Sequence, residues 1–119
     1  MAEAKGNFAV EITDGVGLIT FTRPDRLNAF DRDAHLELGG ILDKLSADPK
    51  VQVAVLTGEG RAFCAGADLK YSLETGDMFL PEQGFGSVTH RDDPTLTLIA
   101  GVNGLAMGGG FELGLGCDM

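Results

Sequence analysis

Two glycine-rich stretches of this chain put backbone amides where chemistry can use them. They are Arg61-Ala62-Phe63-Cys64-Ala65-Gly66-Ala67-Asp68-Leu69-Lys70 and Asn103-Gly104-Leu105-Ala106-Met107-Gly108-Gly109-Gly110-Phe111-Glu112-Leu113. Each has the pattern of a strand that turns into a helix through glycine. The first amides of a helix lack an internal acceptor and carry the positive end of its dipole, so they can receive an anion or a developing oxyanion. One amide from each stretch, aimed at one point, makes an oxyanion hole. Taken singly, each stretch fits close helix–strand packing equally well, since glycine suits that too.

Glu112 is the only ionisable group between Leu96 and Cys117 apart from the Cys117 thiol itself. A carboxylate in a first helical turn can simply favour its helix, by about 0.3–1 kcal/mol. In uncharged surroundings an idle carboxylate is costly, which favours a chemical duty for Glu112. Cys64 adjoins the first glycine turn but reads as packing rather than as a nucleophile. His35, on an amphipathic stretch, and His90, beside Arg91-Asp92-Asp93, read as surface residues, so no Ser-His-Asp or Cys-His arrangement is visible. No phosphate-loop or dinucleotide fingerprint occurs.

The elements that must position these groups follow from hydrophobic period. Phe8, Val10 and Ile12 alternate with their neighbours, Asp14-Gly15 makes a two-residue turn, and Val16, Leu18 and Thr20 alternate on the return, which predicts a β-hairpin. Arg23-Pro24-Asp25 breaks the strand, and a loop runs through Asn28. Ala34, Leu38, Ile41, Leu42 and Leu45 recur at helical spacing over 31–47, with Asp31 as N-cap. Gly39 and Gly40 weaken that helix by about 1 kcal/mol each against Ala, either to admit another backbone or by simple tolerance. Residues 51–57 predict a buried strand. Residues 72–94 predict a long loop with one short helix, and Leu98–Val102 a strand before a short helix near Gly109. The uncharged tail is not read as a membrane span, because three consecutive glycines and Glu112 interrupt it.

Composition bounds the rest. The chain has 119 residues, 44% hydrophobic and 23% charged, with 18 glycines and a formal net charge of −9. That is one globular domain's worth of chain, and its field would not draw nucleic acid or anionic lipid. Cys64 and Cys117 lack metal-ligand spacing and imply neither zinc nor a disulfide framework. A reducing, cytoplasmic location is the natural expectation, and Met1 to Gly6 lack the apolar core of a signal peptide.

Together the two stretches resemble the crotonase superfamily, also called the enoyl-CoA hydratase/isomerase family. The resemblance runs through Arg23-Pro24-Asp25-Arg26-Leu27-Asn28-Ala29-Phe30, Val55-Leu56-Thr57-Gly58, Phe63-Cys64-Ala65-Gly66-Ala67-Asp68-Leu69, Val102-Asn103-Gly104, Gly108-Gly109-Gly110-Phe111-Glu112-Leu113 and Cys117-Asp118. It implies an α/β fold, the ββα spiral of that family, of which residues 1–119 are the N-terminal part. It implies that the amides of Ala65 and Gly109 polarise the thioester carbonyl of an acyl-CoA, with glycine at 109 keeping Cβ clear of the bound thioester. Glu112 then matches the first of two glutamates that hold and activate water in hydratases, the second falling beyond Met119. Arg26, Ala67, Asp68, Leu69, Lys70 and Gly108 are the expected contacts to substrate and CoA, with Asp68 read first as a helix cap.

The implied activity is enoyl-CoA hydration; other reactions of the family (isomerisation, racemisation, thioester hydrolysis) and a non-catalytic acyl-CoA-binding homologue are the alternatives. No cofactor beyond the CoA of the substrate and no metal is implied, and the whole protein is expected to form a homotrimer or dimer of trimers. The piece itself is expected to be inactive and to expose apolar surface. One departure stands out: Thr97 occupies a position that is usually proline in the family, while Pro94 comes three residues earlier.

Overall fold

The computed structural model describes residues 2–119, so the N-terminal stretch without a signal-peptide pattern begins with a residue, Met1, outside the described ones. The hairpin forms as expected. Strands β2 (Phe8–Thr13) and β3 (Val16–Phe21) pair antiparallel with Phe8 opposite Phe21 and Thr13 opposite Val16. Asp14 and Gly15 both take positive φ, 51° and 81°, the turn that matches the twist of two strands and that Asp-Gly favours. Outside β2 lies a strand that the apolar pattern does not announce, β1 (Ala2–Lys5). Its pairing is backbone to backbone along an open edge, which demands no alternation.

The helix α1 (Arg32–Ala47) begins where Asp31 accepts the Ala34 N–H at 2.9 Å. It buries Ala34, His35, Leu38, Gly39, Leu42 and Leu45. His35 is therefore not a surface residue; at 3% exposure it belongs to the core. The helical stripe explains this, since His35 and Leu38 are three residues apart and share a face. The two helical glycines differ. A methyl on Gly39 would lie 2.7 Å from Ser87 Oγ, whereas one on Gly40 would meet nothing among the described residues.

Strand β4 (Val53–Gly58) runs parallel to β3 on one side and to β6 (Thr97–Gly101) on the other, completing a five-stranded mixed sheet in the order β1-β2-β3-β4-β6. Between β4 and β6 come β5 (Ala62–Cys64), α2 (Leu69–Thr75) and a 3-10 turn at Phe85–Ser87; after β6 come β7 (Leu105–Ala106) and α3 (Gly109–Leu115). Thr97 opens β6 and donates its N–H to Gln52 O at 3.1 Å, a bond no proline could make. The core is aromatic: the Phe8, Phe21 and Phe30 rings meet edge to face with centroids 5.5–5.7 Å apart. Among the described residues no helix is long and apolar enough to cross a membrane.

Candidate functional site

The site is built where β5 and β7 end. They pair parallel to each other as a separate two-stranded sheet, so the chain leaves both at the same end. Two asparagines hold the loop that feeds β5. Asn28, 1% exposed and at φ 57°, donates to Ala62 O at 2.9 Å and Glu59 O at 3.1 Å, and accepts from Arg23 N–H at 2.9 Å. Asn103 accepts from Gly58 N–H at 2.9 Å and donates to Gly60 O at 3.1 Å and Ala62 O at 3.2 Å. The Arg23–Asn28 and Val102-Asn103-Gly104 signatures thus serve the scaffold of the site.

The start of α3 is pressed directly onto the end of β5. Met107 N–H donates to Cys64 O at 3.1 Å, and a methyl on Gly110 would collide with that same carbonyl group. Gly66, at φ 98°, sits so close to the next segment that a methyl would lie 3.2 Å from Gly109 N. Here glycine is required twice over, by conformation and by approach.

Which amides remain free corrects the expected pair. The Ala65 N–H donates to Leu27 O at 3.0 Å, so it is not available to a ligand. The loop after Arg26 runs back alongside the turn and takes it up, a contact between segments distant in sequence. Gly66 N–H points at its own neighbour, Cys64 Sγ, at 3.4 Å. Phe30 brackets Ala67 by accepting from Asp68 N–H and donating to Gly66 O, both at 2.8 Å, which turns the Ala67 N–H to the other side. Among the described residues the amides of Ala67 and Gly109 have no acceptor, and Ala67 is exposed. Gly108 precedes Gly109 at φ 52°, a conformation that favours glycine, and a methyl on it would meet nothing among the described residues.

The space above Gly109 Cα is also not what the resemblance implies. It is filled by the Phe85 ring, with which a methyl at 109 would overlap. Glu112 lies in the first turn of α3, exposed, and lines a cavity of about 410 Å³ with Leu80, Phe85, Thr89 and His90. A second cavity of about 190 Å³ reaches Ala67 and is lined by Phe30, His35, Phe79, Leu80 and Phe85 among others. Sequence pattern gave no sign of Phe85, because residues 72–94 carry no sustained period.

The charged candidates divide. Asp68 caps α2 by accepting Tyr71 N–H at 3.1 Å, and pairs with Arg23 at 3.3 Å and Arg26 at 3.2 Å while only 4% exposed. Arg26 is thereby committed in part to a structural pair. Leu69 and Lys70 are exposed on α2. Burial pushes the Cys64 thiol up to about 11, so it is no thiolate nucleophile near neutral pH. Burial pushes the His35 imidazole down to about 4 against the opposing pull of Asp31, and its Nδ1 accepts Gly86 N–H at 3.0 Å. His90 is exposed, as its polar neighbours suggest.

A family model described as enoyl-CoA hydratase/isomerase matches residues 11–119. Among curated relatives, a mevalonyl-coenzyme A hydratase of Beauveria bassiana is 39% identical over 86% of this chain and 40% of its own length. A carnitinyl-CoA dehydratase of Proteus mirabilis is 41% identical over 85% of this chain and 40% of its own length. A crystal structure of an enoyl-CoA hydratase from Mycobacterium tuberculosis superposes with a TM-score of 0.86 at 40% identity, covering 97% of this chain and 45% of that one. The chain thus spans less than half the length of the relatives it matches.

Proposed function

This chain belongs to the enoyl-CoA hydratase/isomerase family, and from that premise we propose that the whole protein is a hydratase that adds water syn across the double bond of a 2-enoyl-CoA. The observation that carries the reading is the pair of unpaired amides, Ala67 and Gly109, brought together by the parallel β5–β7 pairing with Glu112 one turn further on. The thioester carbonyl oxygen accepts both N–H groups. As water adds, its oxygen bonds to C3, the thioester becomes an enolate whose charge those amides hold, and a proton then passes to C2. Glu112, with a second carboxylate from elsewhere in the whole protein, holds the water and takes up its proton.

Arg26, Ala67, Asp68, Leu69, Lys70 and Gly108 border the path of the CoA; of these, exposed Lys70 is best suited to meet phosphate, while Asp68 acts by holding Arg26 and Arg23 in place. The proposed chemistry uses protein amides, carboxylates and the substrate's own CoA. Assembly as a trimer or dimer of trimers is part of the same reading.

The test is crotonyl-CoA hydration, followed by loss of the enoyl thioester absorbance, on the protein expressed from its complete reading frame. Glu112→Gln is expected to lower kcat by about 10²–10⁴-fold while CoA-ester affinity persists. Full activity in that variant overturns the role of Glu112. Failure of the unmodified protein to bind any CoA ester overturns the whole reading.

A further inference from the structure

Phe85 takes no part in the proposed chemistry but packs directly against Gly109. Phe85 is buried, its ring lies against Gly109 Cα, and it forms a wall of both cavities described above. One cavity reaches Ala67 and the other holds Glu112. An acyl group attached to a thioester held by the two amides must therefore lie against this ring. We propose that Phe85 is a specificity-determining residue that limits the size of the acyl group beside the thioester, and that His35 is the positioning residue that fixes it there. The proposal rests on the acyl-CoA reading given above and deepens it.

The segment that carries Phe85 is held in an unusual conformation. Gly84, Gly86 and Ser87 all have positive φ, 87°, 63° and 59°. For Ser87 that is strained backbone, which persists only where surrounding contacts over-determine it. Those contacts are present. Phe85 N–H donates to Thr89 Oγ1 at 2.9 Å. Gly86 is packed so that a methyl would lie 3.0 Å from Leu113, 3.3 Å from Leu38 and 3.4 Å from Phe30. Gly86 N–H, buried, donates to His35 Nδ1 at 3.0 Å.

His35 supplies the side-chain acceptor for the Gly86 N–H. Its ring meets Phe85 edge to face at 4.7 Å and Phe30 at 5.3 Å. An aliphatic residue would fill the volume but leave the Gly86 N–H without an acceptor. Because burial keeps the imidazole neutral, Nδ1 remains an acceptor at neutral pH, with the proton on Nε2. The link runs from helix α1, through one hydrogen bond, to the ring over Gly109.

The experiment compares butyryl-CoA and decanoyl-CoA, by isothermal titration calorimetry, on the protein from its complete reading frame. In Phe85→Ala the ratio of affinities is expected to move toward the longer chain by at least about tenfold, the scale of a pocket gaining room for methylenes. Phe85→Leu should move it the same way by less, and serves alone where the alanine variant does not fold. His35→Leu, which removes the acceptor, should shift the ratio in the same direction. His35→Asn places Oδ1 near the position of Nδ1 and should return it toward the unmodified value. An unchanged ratio in the Phe85 variants that fold overturns the proposal while leaving the acyl-CoA reading intact. A shifted ratio with Phe85 but not with His35→Leu overturns the positioning role alone. Absence of binding of both esters to the unmodified protein overturns the acyl-CoA reading and this inference with it.

Discussion

Backbone amides cannot be removed by truncating side chains, so the residue-scale test of the oxyanion hole is proline, which has no N–H. Ala67→Pro is expected to lower kcat for crotonyl-CoA hydration by about 10²–10³-fold, the cost of one oxyanion donor, with the melting temperature nearly unchanged because that amide has no acceptor among the described residues. Ala65→Pro should behave in the opposite way. It breaks the bond to Leu27 O and costs about 1 kcal/mol of stability. Thermal denaturation beside the hydration assay separates the two variants. A kinetic loss in Ala65→Pro with none in Ala67→Pro would return the hole to Ala65. Two residues apart on one glycine turn, these amides look alike in the motif, and only the position of Leu27 distinguishes them.

At the scale of elements, the site depends on how β5 is held, and Asn28 is the clearest handle. Its side chain closes three hydrogen bonds, to Arg23 N–H, Glu59 O and Ala62 O, from a buried position. Asn28→Ala leaves those groups without their partner and is expected to destabilise the fold by about 2–3 kcal/mol, read from the shift of the urea midpoint. Asn28→Asp keeps the acceptor for Arg23 N–H but loses the donors, and should fall at least as far. A loss under about 0.5 kcal/mol, the usual size for a surface change, would mean that Asn103 alone holds the loop. The same pairings place both helix starts side by side, because parallel strands deliver their chains to one end.

At the scale of the molecule, stability is expected to depend on pH on both sides. The folded His35 titrates near 4, below its ordinary 6.5. Above pH 6.5 the ring is neutral in both states; between 6.5 and 4 the unfolded chain binds the proton and the folded one does not, so acidification favours unfolding. Complete loss amounts to about 3 kcal/mol. Asp77, held down to about 2 by hydrogen bonds from Arg32 and Tyr71, adds a further loss of stability below its ordinary 3.8. On the alkaline side Cys64 and Cys117, both pushed up to about 11 from 9.0, make unfolding easier as pH rises through that range. Urea denaturation from pH 4 to pH 11 should show a plateau between 6.5 and 9, with the acid limb flattened in His35→Asn. Val102, Leu105, Met107, Phe111 and Leu115 are exposed around β7 and α3, as the uncharged tail leads one to expect.

Hydrophobic period and turn chemistry are local, and what depends on them was legible in the residues. The hairpin follows from Phe8 to Phe21 around Asp14-Gly15, α1 from its stripe and the Asp31 cap, the α2 cap from Asp68, and the two glycine turns from their composition. What depends on contacts between distant segments was not. The burial of His35, the engagement of the Ala65 amide by Leu27, and the placement of Phe85 on Gly109 are set by how α1 and the loops around residues 27 and 85 pack on β5 and α3. A residue type declares what bonds it can make. Which of them it makes is decided by the neighbours that the tertiary fold brings within 3 Å or so, the reach of a hydrogen bond.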